Sequence, residues 1–396
     1  MNMTRRSMML TLSAIASPAA MLGGCGGGVG TGGTGDFSSS FTYGQITGFG
    51  SVIVNGVRFD DSEARVVDDR GGTRSRDDLR LGMTVSIDSG AVTDDSSGPQ
   101  ARASVVRFGS VLEAPVSSVD AGAGTFVALG QTVRVQATTV FDDSLGGGIA
   151  ALAGTSVEVH GYLDVATQSI IATRVEGFTP AGEYKARGVV ASVDAGARTL
   201  SVGGATFDFS SASDVPAGLA AGQQVTLVVR TTPDGAGRWV VIRFQAGSVS
   251  RPSRDHDDAD VRGVVTAFTD VRNFVVNDTT VDASGAVFSD GTGFGLGSRV
   301  KVEGSYRSGV LVAREVEIDD GGGNNTDDRI DLRGAIESVD AAARTFRLRG
   351  TTVDYSGAVE FRRGSAADLA AGRQVRVKGT LSGDGRSVRA DEIEFD

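Results

Sequence analysis

Apolar and polar residues alternate with a period of two through most of the chain from Tyr43 onward. The alternating runs are short, as in Arg187 to Val193 and Thr199 to Val202, and turn-forming residues separate them. This pattern predicts short strands that each bury one face and are joined by tight turns. We therefore expect an all-β protein.

A turn motif recurs along the chain and indicates internal repeats. It reads Ser-Val-Asp-Ala-Gly-Ala-Gly-Thr-Phe at residues 118–126 and returns, with small changes, at residues 192–200 and 338–346. Weaker copies occur at residues 264–276 and at residues 43–50. The Asp side chain can accept a hydrogen bond from the backbone that follows it, and Gly tolerates a positive φ, so the motif predicts a hairpin.

Two further motifs follow the turn in the same order. The form Leu-x-x-Gly-x-x-Val-x-Val predicts a short helical turn that ends at Gly and leads into a strand. A closing motif, such as Ile171 to Glu176, predicts one more alternating strand. The second motif occurs at residues 79–87, 219–227 and 369–377, with shorter matches at residues 153–159 and 296–302.

The three ordered motifs predict five tandem modules, each a small β-barrel. A closed barrel is favoured because an open sheet of this size would expose long strand edges. The strand order, with a helical turn before the Val-x-Val strand, is similar to that of an OB-type barrel. The predicted segments are a leader (1–24), a tether (25–42), module 1 (43–109), module 2 (110–183), module 3 (184–248), an acidic linker (249–260), module 4 (261–318), an Asp/Gly/Asn-rich linker (319–329) and module 5 (330–396).

The motifs also resemble those of the DUF5666 family of exported proteobacterial proteins. The likeness lies in the S-V-D-x-x-x-x-T-F turn and the L-x-x-G-x-x-V-x-V-x-G strand, and it extends over most of residues 43–395. The resemblance implies barrel architecture and export. It implies no catalytic residue.

The N-terminus predicts export and lipid attachment. Arg5 and Arg6 precede the apolar stretch Met8 to Ala16, which is too short to cross a bilayer. The sequence Leu22-Gly23-Gly24-Cys25 then resembles a bacterial lipobox, in which the cysteine thiol accepts a diacylglyceryl group. Cys25 is the single cysteine of the chain. We expect acylated Cys25 to anchor the protein in a lipid bilayer, since several acyl chains together hold a protein stably.

Alternatives remain open at this end of the chain. Cleavage after Ala16 would leave a soluble periplasmic protein, and the paired arginines loosely resemble a twin-arginine export signal. Gly26 follows the cysteine in place of an acidic residue, which by resemblance favours the outer membrane. The Gly/Ser-rich segment from residue 26 to residue 40 predicts a flexible, disordered tether between the lipid and the first module.

Charge argues against nucleic acid as a partner. The net charge is −11, and removing the leader with Arg5 and Arg6 would make it more negative. Such a protein repels phosphate backbones. We expect an envelope protein or a glycan as partner, and no cofactor.

The sequence gives little support for a metal site. We expect His160 to be exposed to solvent, because its position alternates away from the apolar face and is occupied by Glu303 and Lys378 in other modules. His256 lies in the acidic linker among Asp255, Asp257 and Asp258, where we expect it to be solvated, with a weak metal site as the alternative. The second linker lacks the calcium-loop spacing and predicts a solvated spacer, with calcium binding as the alternative; its candidate oxygen donors are Asp319, Asp320, Asn324, Asn325, Asp327 and Asp328.

Catalytic motifs are also missing from the sequence. No Gly-x-Ser-x-Gly occurs, and neither histidine has the setting of a general base. Trp239 and Tyr162 are suited to stacking on a sugar, but isolated aromatics within strands more commonly fill cores. We therefore favour a non-catalytic, lipid-anchored envelope protein whose modules bind a partner or act as spacers. An oligosaccharide- or small-ligand-binding lipoprotein and an unrecognised envelope hydrolase are the alternatives.

Overall fold

The computed structural model describes residues 39–96, 98–319 and 329–396, and these residues are nearly all in β-strands. Within those ranges, helical structure is limited to short 3₁₀ turns, and no helix has the length and apolar character needed to cross a bilayer. The 3₁₀ turns include Arg76–Asp78, Asp143–Leu145, Gly148–Ala151 and Ala366–Asp368.

Module 1 is a closed barrel of five main strands. Around the barrel, neighbouring strands follow the order β1-β2-β3-β8-β6 and back to β1. All pairs are antiparallel except the parallel pair β3–β8. The strands are β1 (Ser40–Phe49), β2 (Val52–Val54), β3 (Val57–Asp60), β4 (Arg65–Asp68), β5 (Thr73–Arg74), β6 (Thr84–Ser89), β7 (Thr93–Asp95) and β8 (Gly98–Phe108).

Modules 2 and 3 repeat this barrel with five strands each. In both, the first strand pairs with the second and the fourth, and the third pairs in parallel with the fifth. The strands of module 2 are β9 (Leu112–Asp120), β10 (Thr125–Ala128), β11 (Gln131–Phe141), β12 (Ser156–Asp164) and β13 (Ser169–Gly177). Those of module 3 are β14 (Glu183–Asp194), β15 (Thr199–Val202), β16 (Ala205–Asp208), β17 (Gln224–Arg230) and β18 (Trp239–Phe244).

Modules 4 and 5 close in the same way, each with one extra short strand. The predicted OB-like barrel is therefore confirmed, since the parallel pairing of the third and last main strands occurs in every module. Module 4 contains β19 (His256–Asp270), β20 (Asn273–Val276), β21 (Thr279–Asp282), β22 (Val287–Phe288), β23 (Arg299–Arg307) and β24 (Val310–Ile318). Module 5 contains β25 (Ile330–Asp340), β26 (Thr345–Leu348), β27 (Thr351–Asp354), β28 (Glu360–Arg362), β29 (Gln374–Leu381) and β30 (Ser387–Phe395).

The glycine of the Leu-x-x-Gly motif fixes the entry to the fourth main strand in every module. It adopts a left-handed φ between 76° and 87°, which L residues with a side chain disfavour. Its backbone N–H donates to a carbonyl of the module's first strand, which closes the barrel at this corner. The donor and acceptor pairs are Gly82 to Ile46, Gly154 to Val116, Gly222 to Val190, Gly297 to Val265 and Gly372 to Ile336.

The hairpin motif folds as expected, with one difference. The side chains of Asp120, Asp194 and Asp340 accept hydrogen bonds from backbone amides three residues later. The positive φ lies at the residue before the threonine, which is Gly124 in module 2 and Arg198 in module 3, and not at the central glycine.

First strands of different modules pair with one another. Strand β1 pairs in parallel with β19 of module 4 through residues 40–43 and with β25 of module 5 through residues 48–49. Strand β9 pairs antiparallel with β14 of module 3. These pairings give two groups of barrels, and contacts such as that of Lys185 with Asp69 join the groups, so that the described residues form a single compact unit. Apolar cores follow these joins: one spans modules 1 and 5, one spans modules 2 and 3, and one combines module 4 with Phe41, Tyr43, Tyr162 and Ile171.

Two predicted segments need correction. The tether was expected to reach residue 42, but β1 begins at Ser40, and residues 40–42 are buried between β6 and β19. The acidic linker was expected at residues 249–260, but residues 256–260 are the start of β19. Both segments are strands because each supplies the edge with which the other pairs.

Candidate functional site

The joint between modules 1, 2 and 3 buries a row of charged side chains. Lys185, Glu113, Glu158 and Glu176 occupy directly paired positions on four neighbouring strands, β14, β9, β12 and β13. Directly paired residues project from the same face of a sheet, so the four side chains lie side by side. This face is the polar outer surface of barrel 2, and residues of module 1 cover it.

Lys185 is the most enclosed charge of the row, with 0% of the residue exposed. Its Nζ lies 2.8 Å from Glu113 Oε1 and 2.9 Å from Asp69 Oδ2. Glu113 also pairs with Arg70 and accepts a hydrogen bond of 2.8 Å from the Ser110 hydroxyl. Burial raises the pKa of Glu113, but Lys185, Arg70 and Ser110 outweigh it and hold that pKa below its usual range.

His160 lies beside the row and is likewise 0% exposed. Its Nδ1 is 3.1 Å from the carbonyl oxygen of Gly109, and a carbonyl can only accept, so Nδ1 carries the hydrogen. Its Nε2 lies 3.4 Å from Glu158 Oε1 and 3.5 Å from Glu176 Oε1. Burial lowers the pKa of His160, but the carboxylates of Glu158 and Glu176 outweigh this effect and raise it to about 9.

Arg174 binds Oε2 of Glu176, the carboxylate oxygen that does not face His160. Its Nε lies 2.9 Å from Glu176 Oε2, its guanidinium also pairs with Asp142 at 2.7 Å, and it donates to the carbonyl of Leu81 in module 1. Burial raises the pKa of Glu176, but His160 and Arg174 together lower it to about 2. Glu176 is therefore a carboxylate throughout the physiological pH range.

Two cavities open onto this joint. One of about 270 Å³ is lined by Glu158, Glu176 and Glu113 together with residues of module 1. A larger one of about 390 Å³ lies between modules 1, 2 and 3. Polar groups from these modules line the larger cavity, among them Arg65, Arg107, Tyr43, Arg187, Gln245 and Ser248.

Both histidines lie elsewhere than expected. His160 was predicted to be exposed, but module 1 packs on the outer face from which it projects and buries it. His256 was predicted to be solvated in a linker, but it is fully buried at the start of β19. Its ring centroid lies 5.6 Å from that of Phe41, and its Nε2 lies 3.3 Å from Asp88 Oδ1.

Tyr162 and Trp239 pack in apolar cores, as the sequence analysis favoured. Tyr162 is buried and forms an edge-to-face contact with Tyr43 of module 1 at 6.3 Å. Trp239 is half-buried and forms a similar contact with Tyr184 at 6.0 Å. Asp319, a candidate calcium ligand, is buried and pairs with Arg299 at 2.8 Å. The other candidate ligands, residues 320–328, lie outside the described residues, as do Cys25 and the leader.

Sequence reasoning missed Lys185, Glu113, Glu158 and Glu176. Each occupies a polar position of an alternating strand, and such a position has the same appearance whether it faces water or a second barrel. The single available hint was the rarity of lysine, which occurs only at residues 185, 301 and 378 among 38 basic residues.

Five closed barrels of one strand order define a tandem OB-type barrel protein, in which first strands join modules 1, 4 and 5 and, separately, modules 2 and 3. The family described as a domain of unknown function, DUF5666, matches residues 113–176, 262–317 and 333–394. These segments lie in modules 2, 4 and 5, and the resemblance drawn from the motifs is confirmed. Three of the five modules therefore match the DUF5666 domain model.

Other comparisons add little. No curated protein matches the chain. Among solved structures, drosophila Unr CSD456 is similar at 15% sequence identity, with a match that covers 53% of this chain and 97% of that one. The TM-score is 0.14, so this likeness carries no argument about function.

Proposed function

We propose that the protein is a non-catalytic, lipid-anchored protein of the cell envelope that binds a small polar ligand, such as an oligosaccharide, where its modules meet. The anchor is Cys25 in the sequence Leu22-Gly23-Gly24-Cys25, and the outer membrane is the proposed location. Envelope proteins or glycans are the proposed partners, and nucleic acid is not among them, because the net charge is −11.

The cavity of about 390 Å³ between modules 1, 2 and 3 supports the binding proposal. Its volume is within the usual range for small-ligand sites, and such sites favour domain boundaries. Equivalent outer-face positions do not conserve residue type between modules: the position of His160 is occupied by Asp88, Val228, Glu303 and Lys378 elsewhere. A site repeated in every module would conserve its residues, so a site at one junction fits the sequence better.

The charged groups at the joint favour a binding role over hydrolysis. Glu113 and Glu176 both have pKa values below their usual range, because Lys185, Arg70, His160 and Arg174 outweigh the effect of their burial. Such carboxylates stay ionised at neutral pH and therefore cannot serve as general acids. Their cationic partners hold the modules together instead.

Lipid attachment is tested by processing in cells. Full-length protein with Cys25→Ala should leave the membrane fraction and should no longer incorporate labelled palmitate. The native chain should stay in the membrane fraction, should incorporate palmitate and should accumulate as precursor in globomycin. Equal membrane association of the two proteins would contradict the anchor.

Ligand binding is tested with a glycan array and the full chain in detergent. Arg65→Ala removes a guanidinium from the cavity wall, and we expect it to weaken binding of any captured oligosaccharide about tenfold, the loss expected for one charged hydrogen bond. Arg102→Ala is the control, because Arg102 pairs with Glu63 on the surface. Equal weakening by both changes, or no capture at all, would contradict the junction site.

A further inference from the structure

Three side chains of module 2 converge on one point beside the smaller cavity. One potential ligand atom each from Glu158, His160 and Glu176 lies within 4.8 Å of the other two, and Nε2 of His160 is near Oε1 of both carboxylates. Glu158 and Glu176 are paired across β12 and β13, and His160 is two residues from Glu158 on the same strand, so the sheet itself sets their spacing. The set of one imidazole nitrogen and two carboxylate oxygens is typical of zinc and similar divalent ions.

The histidine presents the atom that a metal would need. Because the Nδ1 hydrogen is donated to the carbonyl of Gly109, an ion that displaces the proton of Nε2 meets a lone pair that faces the two carboxylates. A hydrogen bond from the second ring nitrogen to a backbone carbonyl is the usual way in which a ligating histidine is oriented. Nε2 is fully buried, and within the described residues it forms no hydrogen bond of normal geometry.

The distances fit a metal better than a hydrogen bond. The separations of 3.4 Å and 3.5 Å from Nε2 to the two carboxylate oxygens exceed the usual hydrogen-bond length of about 2.9 Å. Ligands at about 2.0–2.1 Å from a tetrahedral zinc lie about 3.3–3.4 Å apart. The two distances therefore correspond to edges of such a tetrahedron.

The surrounding groups orient and balance the cluster. Arg174 binds Oε2 of Glu176, which leaves Oε1 directed at His160. Asp142, Glu158 and Glu176 carry three negative charges, and Arg174, which pairs with both Asp142 and Glu176, carries one positive charge. With His160 neutral as a metal ligand, the remaining charge of −2 is neutralised by one divalent cation.

From this geometry we infer that Glu158, His160 and Glu176 bind a divalent transition-metal ion, with zinc as the best fit. This site goes beyond the proposed ligand-binding function and is independent of it. Glu158 and Glu176 line the cavity of about 270 Å³, so an ion can reach them and water can occupy the fourth position. The ion would join module 2 to Gly109 of module 1 through His160.

The test is a zinc titration of the full chain in detergent, stripped with EDTA and followed by calorimetry in excess Mg²⁺. We expect one saturable zinc site. Glu158→Gln should weaken it at least about tenfold, because one of three ligands loses its charge while the partly exposed side chain leaves folding intact. Glu63→Gln, a change of the same kind on the surface, should bind zinc as the native chain does.

Histidine resonances locate the ion. The chain has two histidines, so a long-range ¹H–¹⁵N spectrum resolves both imidazoles. Zinc should shift the ring nitrogens of His160 and leave those of His256 in place. Absence of a saturable site, equal affinity in Glu158→Gln, or a shift at His256 alone would overturn the inference and leave a proton on His160 as the occupant.

Discussion

The ammonium group of Lys185 in module 3 lies 2.8 Å from the carboxylate of Glu113 in module 2, and both side chains are almost completely buried. The two residues are directly paired on β14 and β9, the strands by which these barrels join. Asp69 of module 1 contacts the same ammonium at 2.9 Å. A single lysine thus touches acidic groups from two other modules, and the joint depends on it.

Replacing Lys185 with methionine should therefore destabilise the protein strongly. The change leaves Glu113 and Asp69 without their shared cation, and breaking a buried pair in this way costs about 3–5 kcal/mol. Urea unfolding monitored by circular dichroism measures the loss. Lys378→Met is the matched control, because Lys378 is 36% exposed and pairs with Glu392, so it should cost about 1 kcal/mol or less. Similar losses for the two variants would show that the joint does not depend on Lys185.

Phe41 tests whether the predicted tether is a structural strand. Its ring is buried in the core of module 4, and we expect Phe41→Ala to reduce the free energy of unfolding by about 3–5 kcal/mol. Phe268→Ala is a suitable comparison. Because Phe268 is 36% exposed, this variant should lose much less of the free energy of unfolding. An unfolding midpoint of Phe41→Ala equal to that of the native chain would mean that residues 40–42 are a tether after all.

Gly222 tests the shared barrel corner. Its φ is +86°, and no atom would obstruct an added Cβ, so Gly222→Ala isolates the cost of the left-handed backbone, about 1–2 kcal/mol. Gly235→Ala offers the control, because its surroundings are equally open and its φ is not left-handed. Thermal unfolding should separate the two variants. If both alanine variants melt together, the corner carries no backbone strain.

Asp260 should give the stability a distinct pH dependence. Burial raises its pKa to about 7, against the opposing effect of Lys301. Because the folded-state pKa is raised, this group's contribution to stability is complete below pH 3.8 and is lost as the pH rises through about 7. The slope is at most about 1.4 kcal/mol per pH unit in that window.

Asp260→Asn removes this dependence. The amide oxygen can still accept the hydrogen bond from Asn55, which is 3.0 Å long in the native protein. The variant should therefore be more stable than the native chain at pH 8, and the advantage should shrink toward pH 4 in urea titrations. A constant difference between the two proteins from pH 4 to pH 8 would show that Asp260 does not titrate in this range.

The barrels were predictable from sequence and the joints between them were not. Alternation along strands such as Thr199–Val202, together with the Asp-initiated turn, reports which residues face a barrel's own core. Most outward positions are polar, so the sequence does not distinguish His160, which faces module 1, from Lys378, which is partly exposed. The first strand begins in a Ser-rich stretch with no alternation, and it is a strand there because it pairs with β6 on one side and with β19 on the other.

Hydrogen exchange of the full chain tests most directly whether modules 1 and 4 are joined through their first strands. Peptides that contain residues 40–43 and 256–260 report on the paired ends of β1 and β19. The structure predicts that these amides exchange as slowly as those of β6, the other neighbour of β1. Exchange of residues 40–43 within seconds, at the rate of an unstructured chain, would contradict it.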